Sequence, residues 1–253
     1  MPIAHRGLHD GAAAPENSAA AIARAAEAGC AVEIDVRICA DARLVLFHDE
    51  TLERLTEARG PVRARPAAEL RRLRLLGGAE TILTLEEALE LAAGRAPLLI
   101  ELKHAGPAGA PEALLAAALA RYAGPAAVQS FNPRSLWWFR RNAPLLARGQ
   151  LSGRFPDAPR PPWPMRAALR GMWFNALTRP DFIGYDLRAG DAAFFRRLRR
   201  RTPGPLLLWT ARTEADAALC RAVGATPIFE RMPPPAMRDA PPDEPRDAPP
   251  RIG

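Results

Sequence analysis

The chain has 253 residues, 48 % of them hydrophobic, a length that suits one α/β barrel or two smaller domains. No apolar run approaches the roughly 20 residues that a membrane-spanning helix needs, so we expect no bilayer-spanning segment. The net charge of +7 raises the possibility of a nucleic-acid partner. No known binding motif accompanies this charge, and nearly every cation is arginine, so we attribute it to biased residue usage and expect no nucleic-acid partner.

The start of the sequence lacks the charged and apolar pattern of a signal peptide. The three cysteines, Cys30, Cys39 and Cys220, are an odd number without metal-ligand spacing, which fits a reducing compartment. We therefore expect a cytoplasmic protein with buried free thiols and no stable membrane association. The sequence does not indicate an oligomeric state.

Short apolar runs alternate with longer helical stretches along the chain, a pattern typical of βα units around a parallel sheet. Helices are indicated at 17–28, 85–93 and 112–122, each ending close to a glycine. Eight runs are predicted as strands, the number that a closed TIM-type (β/α)8 barrel needs; they are 2–6, 31–37, 97–103, 126–131, 145–151, 181–187, 205–211 and 226–230. The pattern alone also permits a doubly wound open sheet.

Two segments differ from this alternation. Residues 38–83 form an insertion after the second strand, with a strand-like run at 44–48 and a short helix near 67–73, and long loops of this kind are usually functional. Residues 233–253 are rich in proline and charge and are predicted to be a disordered tail, so the barrel domain is expected to span 1–232. The basic run at 196–201 is predicted to be the solvated face of an amphipathic helix.

Acidic residues recur on two of the predicted strands. Strand side chains alternate, so Glu33 and Asp35 point the same way, and so do Glu101 and Lys103 on the next barrel strand. Burying these carboxylates at the barrel mouth would cost several kcal/mol without a counter-charge. A hard divalent cation such as Mg²⁺ or Ca²⁺ would balance the charge. A buried ion-pair network without metal is the alternative.

Three further residues have positions that favour function. His5 and His48 each end an apolar strand-like run, where the catalytic groups of a barrel converge. A single histidine at such a place is usually structural, but two beside acidic pairs favour acid–base chemistry. Lys103 is the only lysine of the chain, which indicates a site where a compact cation is required.

The sequence resembles the glycerophosphodiester phosphodiesterase family over about residues 2–233. The motifs of the first half occur in the family's order and spacing, and those of the second half match more weakly. In order, they are His5-Arg6-Gly7, Pro15-Glu16-Asn17-Ser18, Glu33-Ile34-Asp35-Val36, Phe47-His48-Asp49, Arg54-Leu55-Thr56, Glu101-Leu102-Lys103, Gln129-Ser130-Phe131 and Trp209-Thr210.

The resemblance implies a TIM barrel that hydrolyses glycerophosphodiesters to glycerol 3-phosphate and an alcohol. It implies a divalent metal on Glu33, Asp35 and Glu101, with His5 and His48 as the acid–base pair. Arg6 and Lys103 match positions that contact the phosphate, and Glu16 and Asn17 match a loop that supports the site. Phe131 and Trp209 look like the apolar wall beside the alcohol portion, although core packing explains them equally well.

The sequence departs from the family pattern at a few places, and none of them removes a proposed catalytic group. The last strand ends in Phe229-Glu230 where Thr-Asp is usual. Two rival functions stay open: a related phospholipase-D-like barrel acting on lysophospholipids, and a catalytically silent barrel that binds phosphodiesters. The choice of metal, the preferred head group and the histidine that acts as acid are not determined by the sequence.

Overall fold

The structure is a computed structural model that describes residues 1–154, 162–202 and 204–234. Its eight barrel strands are parallel, and their order closes on itself because β1 pairs with both β2 and β9. Nine strands are described, of which β3 lies outside the barrel; they are β1 Ile3–Ala4, β2 Ala31–Ile38, β3 Leu44–Leu46, β4 Leu98–Leu102, β5 Ala126–Ser130, β6 Ala147–Ser152, β7 Phe182–Asp186, β8 Leu206–Ala211 and β9 Thr226–Phe229. Closure confirms the predicted TIM-type barrel and excludes the open sheet.

Helices follow the strands on the outside of the barrel. Several begin at capping residues that the sequence displays: Ser18 accepts a hydrogen bond from Ala21 N, and Thr84 and Glu87 form a capping box. The helices are α1 Ala19–Glu27, α2 Ala67–Leu70, α3 Leu85–Ala92, α4 Ala110–Leu119, α5 Pro133–Asn142, α6 Trp163–Arg170, α7 Asn175–Thr178, α8 Ala192–Arg201 and α9 Glu214–Ala222. The three helices predicted at 17–28, 85–93 and 112–122 are thus present, with ends shifted by at most three residues.

The predicted insertion is a packed structure rather than an open loop. Strand β3 runs antiparallel to β2, with Val36 opposite Leu46. Around it lies a small separate core, whose members are Cys39, Val45, Phe47, Leu52, Leu55, Val62, Ala67, Leu70, Leu75 and Ile82. Arg37 donates two hydrogen bonds to the carbonyl oxygen of His48, which attaches the segment after β3 to barrel strand β2.

The barrel interior divides into an apolar and a charged half. Alternate residues of β2 point inward, from Ala31 at the amino end through Glu33 to Asp35 near the carboxyl end. Ala31 belongs to a small apolar cluster together with Ile3, Leu99, Phe182, Leu207 and Ile228. The main core fills the space between strands and helices and includes Val32, Ile34 and Val36. The polar groups therefore collect at the carboxyl-end mouth, where barrel chemistry takes place.

The predicted tail, the membrane-spanning helices and the cysteines can be compared with the structure only within the described residues. Residues 235–253 lie outside the described residues, so the disordered tail stays a prediction. Among the residues that are described, no helix is both long and apolar enough to cross a membrane. The three cysteines are buried and unpaired, as predicted.

Candidate active site

The three predicted metal-binding carboxylates meet at the barrel mouth. Asp35 and Glu101 are partners in the register of β2 and β4, and Glu33 lies two residues earlier on β2. Glu33, Asp35 and Glu101 are only 1, 0 and 7 % exposed. Each offers one oxygen, and these oxygens lie within 4.8 Å of one another.

Burial of three carboxylates has a clear electrostatic consequence. Desolvation, followed by the charges of Asp35 and Glu101, raises the pKa of Glu33 well above its ordinary value. Burial also opposes ionisation of Asp35, but Lys103 and the other nearby cationic groups outweigh it and hold its pKa below the usual range. The cluster therefore resists a third negative charge unless another cation enters it.

Lys103 bridges two of the carboxylates. Its Nζ lies 2.6 Å from Glu101 Oε1 and 3.2 Å from Asp35 Oδ1. Burial lowers the pKa of the lysine, but Asp35 and Glu101 outweigh that effect and raise it, so the ammonium stays charged. The predicted position of Lys103 beside Glu101 is confirmed.

Arg6 connects the first loop to the same cluster. Its backbone N–H donates to Glu33 Oε2 at 3.0 Å, and its Nε lies 3.3 Å from Asp35 Oδ2. The turn that places it depends on Gly7, whose φ is +79° and where a Cβ would lie 2.7 Å from the backbone of Ala21. No side chain larger than hydrogen fits there without a backbone shift.

Glu16 and Asn17 hold the groups that line the site. Glu16 accepts from Arg6 Nη1 at 2.8 Å, which orients the guanidinium. Asn17 donates from Nδ2 to Asp35 Oδ2 and accepts from Asp35 N, both at 3.0 Å. The contacts agree with the supporting position that the sequence motif suggested for both residues.

The chemistry of the cluster fits a hard divalent cation. Its donors are carboxylate oxygens, the ligands that Mg²⁺ and Ca²⁺ prefer. Within the described part of the chain, the buried Asp35 Oδ1 accepts no hydrogen bond, although Lys103 Nζ lies near it. An oxygen of this kind retains capacity for a further cationic partner.

Both histidines at the mouth are paired with carboxylates through Nδ1. His5 Nδ1 lies 2.7 Å from Glu230 Oε2, and His48 Nδ1 lies 2.6 Å from Asp49 Oδ1. When the neutral imidazole carries its proton on Nδ1, the Nδ1–H donates a hydrogen bond to the carboxylate, and Nε2 keeps a free lone pair. Burial first, and then the Arg6 charge, lower the pKa of His5 to about 4, so this imidazole is neutral near pH 7.

Phe131 and Trp209 contact each other at the carboxyl ends of β5 and β8. Their rings meet edge to face with centroids 5.7 Å apart. Trp209 Nε1 is buried and has no hydrogen-bond partner among the described residues. The structure thus brings the two aromatic residues together, and their role as a wall for the alcohol stays a prediction.

Sequence reasoning assigned no role to several residues of the site. Glu230 accepts from His5, lies 3.6 Å from His9 Nε2 and pairs with Arg212 at 2.7 Å. Gln129 Nε2 lies 3.5 Å from Glu33 Oε1. A signal for Glu230 existed, because it follows the last barrel strand at the end where His5 follows the first.

Comparison with known proteins identifies the family. The model of the glycerophosphoryl diester phosphodiesterase family matches residues 5–230. The "Probable glycerophosphodiester phosphodiesterase 1" of Mycobacterium tuberculosis is 34 % identical over 169 residues, which cover 57 % of this chain and 61 % of that protein. The glycerophosphodiester phosphodiesterase of Caldanaerobacter subterraneus is 42 % identical over 74 residues, covering 29 % of this chain and 30 % of that protein.

Solved structures give a more extensive match. An Oleispira antarctica phosphodiesterase in complex with its product sn-glycerol-3-phosphate superimposes with a TM-score of 0.75 and 28 % identity, covering 91 % of this chain and 92 % of that one. A Galdieria sulphuraria structure with a TM-score of 0.76 shares 20 % identity and supports the fold alone. From the family model and its extent, we conclude that the chain belongs to the glycerophosphoryl diester phosphodiesterase family.

Proposed function

We propose that this protein hydrolyses glycerophosphodiesters to glycerol 3-phosphate and an alcohol, with a divalent cation, Mg²⁺ or Ca²⁺, as cofactor. One observation carries the proposal: three buried carboxylates share a barrel mouth with two histidines, each supported by its own carboxylate. The relative from Oleispira antarctica, which binds sn-glycerol-3-phosphate as its product, supports the choice of substrate class.

The cations of the site would bind the substrate phosphate. A phosphodiester carries one negative charge, and attack at phosphorus increases the charge on its equatorial oxygens. Arg6 and Lys103 are fixed by their carboxylate partners, so they can stabilise that charge without reorganising. A divalent ion held by Glu33, Asp35 and Glu101 would add electrostatic stabilisation of the same kind when bound.

The two histidines would transfer the protons. One imidazole would remove the proton from the glycerol hydroxyl next to the phosphate as it attacks phosphorus, and the other would donate a proton to the leaving alkoxide. Water would then open the resulting cyclic phosphate to glycerol 3-phosphate. Glu230 and Asp49 orient the rings through Nδ1, which directs each Nε2 away from its carboxylate. General acid–base catalysis of this type typically contributes ~10²–10⁴-fold.

The direct test is the release of glycerol 3-phosphate from a panel of glycerophosphodiesters, beginning with glycerophosphocholine. We expect turnover with Mg²⁺ or Ca²⁺ and none in excess chelator. Lysophosphatidylcholine belongs in the same panel because the phospholipase-D-like alternative would prefer it. No turnover of any glycerophosphodiester, with the protein folded and metal supplied, would contradict the proposal.

Metal binding should also be visible without any substrate. We expect Mg²⁺ or Ca²⁺ to raise the melting temperature of chelator-treated protein, because a ligand that binds only the folded state stabilises it; at 100 times Kd the gain is about 2.7 kcal/mol. Glu33→Gln should abolish this shift but leave the protein folded. The matched control is Glu86→Gln on the exposed face of α3, which should keep the full shift. An unchanged shift in Glu33→Gln would reject Glu33 as a ligand.

Glu230→Gln tests the carboxylate that supports His5. We expect kcat to fall by about tenfold, the lower end of the effect of losing an orienting partner, with KM nearly unchanged. The isosteric amide keeps the shape, so the melting temperature should change little. Arg212→Gln removes the neighbouring ion pair without touching His5 and should leave kcat near normal. Equal losses in both variants would assign Glu230 a structural role.

A further inference from the structure

The positive charge of the chain is concentrated in one segment. Residues 133–180 contain nine arginines and one aspartate, a formal net charge of +8, whereas the whole chain carries +7. The other 205 residues together therefore carry −1. The preference for arginine over lysine explains the kind of cation, but it does not explain why 27 of the 28 acidic residues lie elsewhere.

The same segment carries most of the large apolar side chains that are exposed among the described residues. It contains four of the five tryptophans of the chain. Trp163 and Trp173 are 74 and 69 % exposed, and Leu145 is completely exposed. Of the nine large hydrophobic side chains exposed in the described part of the chain, six belong to this segment; they are Trp137, Leu145, Trp163, Met165, Trp173 and Leu177.

Hydrogen bonds connect the elements that carry these side chains into one part of the barrel wall, which we call the arginine–tryptophan sector (residues 133–154 and 162–180). Arg140 on α5 donates to the carbonyl oxygen of Leu177 on α7. The carbonyl of Leu169, near the end of α6, accepts from Ser152 at the carboxyl end of β6. Helix α6 is therefore held near the mouth of the barrel, with Trp163 at its first position.

Arginine and tryptophan also contact each other directly in this sector. The guanidinium of Arg141 lies over the ring of Trp137, 5.2 Å from its centroid. Amphipathic side chains of this kind are favoured at a membrane–water interface, where the indole enters the headgroup layer. Arginines nearby are attracted to anionic headgroups.

We propose that the arginine–tryptophan sector is a peripheral docking surface for an anionic phospholipid membrane. Its charge is complementary to such a membrane, and its exposed apolar side chains include leucine and methionine, which insert among lipid chains but do not stack on nucleic-acid bases. A second copy of this chain would place two surfaces of the same sign against each other. Docking of this kind is reversible, so it agrees with the absence of stable membrane association expected from the sequence.

The test uses the full chain and vesicles of phosphatidylcholine with phosphatidylglycerol in a ratio of about 3 to 1, at which the surface is strongly anionic. We expect co-sedimentation with these vesicles, weak binding to pure phosphatidylcholine, and a loss of binding at high salt. Brominated lipids should quench the tryptophan fluorescence, which would place the rings in the bilayer interface. Absence of binding to the anionic vesicles at low salt would overturn the proposal.

Two variants and a matched control locate the surface. Trp163→Ala with Trp173→Ala, and separately Arg141→Gln with Arg170→Gln, should each weaken vesicle binding by at least about tenfold. Arg196→Gln with Arg197→Gln removes the same charge from the exposed face of α8 and should change binding little. Hydrolysis of a soluble glycerophosphodiester should be normal in all three. An equal loss in the α8 control would show charge attraction without a defined surface and reject the proposal.

The same variants separate the other possible occupants. The proposal is overturned if the protein binds single-stranded DNA more tightly than anionic vesicles at equal salt. It is also overturned if light scattering shows a dimer that the tryptophan substitutions dissociate. A monomer that binds anionic vesicles through Trp163 and Trp173 supports it. Because binding is measured without substrate, failure of the proposed activity would leave this result unaffected.

Discussion

His48→Ala and His5→Ala are each expected to lower kcat by ~10²-fold or more, the scale of a lost general acid or base. Each histidine pairs with a carboxylate through Nδ1 at the barrel mouth, an arrangement that fixes the ring and leaves Nε2 for the proton transfer that we propose. Steady-state kinetics with glycerophosphocholine and saturating metal would measure the effect. The double variant should be little worse than either single variant, because the two groups act as a unit.

The chain provides a matched control for these substitutions. His104 comes directly after Lys103, but its Nε2 interacts with the carbonyl oxygen of Pro107, three residues later in the same loop. His104→Ala should therefore keep nearly normal turnover. If His5→Ala or His48→Ala behaved like this control, with metal binding intact, the acid–base assignment of that histidine would be wrong.

The fold was predictable because it follows from local patterns. Apolar runs at the right spacing indicated all eight barrel strands, and capping residues such as Ser18 and Thr84 marked where helices begin. Closure was not predictable from pattern alone, since it depends on β1 pairing with β9, far apart in sequence. The small core of the insertion was missed for a similar reason: its apolar residues are scattered among turns without a clear period.

The candidate site was predictable where one strand carries several of its groups. Glu33 and Asp35 lie two residues apart, so alternation alone places them on one face. The support of His5 was missed, although both residues follow barrel strands at the same end, because Glu230 is 225 residues away and its contact with His5 depends on closure of the barrel. The paired hydrogen bonds of Asn17 with Asp35 likewise depend on a loop conformation, with Asn17 at a φ of +60°, that motifs do not specify.

Lys103→Arg is expected to leave the protein folded and to lower turnover by ~10²-fold, the cost of a small misplacement of reacting groups. The substitution keeps the charge and follows the arginine preference of the rest of the chain. At position 103, however, the compact ammonium lies 2.6 Å from Glu101 Oε1 and 3.2 Å from Asp35 Oδ1, and the lysine side chain is only 14 % exposed. A planar and wider guanidinium cannot occupy that space without displacing one of these carboxylates or the phosphate.

The measurement must separate this displacement from a loss of folding or of charge. Circular dichroism and the metal-dependent melting shift should show a folded Lys103→Arg variant before its kinetics are compared. Arg43→Lys is the matched exchange in the opposite direction, in a partly exposed ion pair with Glu86, and should have normal turnover. Lys103→Met, which removes the charge, should be at least as impaired as Lys103→Arg if the ammonium contacts the phosphate. Wild-type kinetics for Lys103→Arg would show that any cation suffices at this position, and the inference from the single lysine would fail.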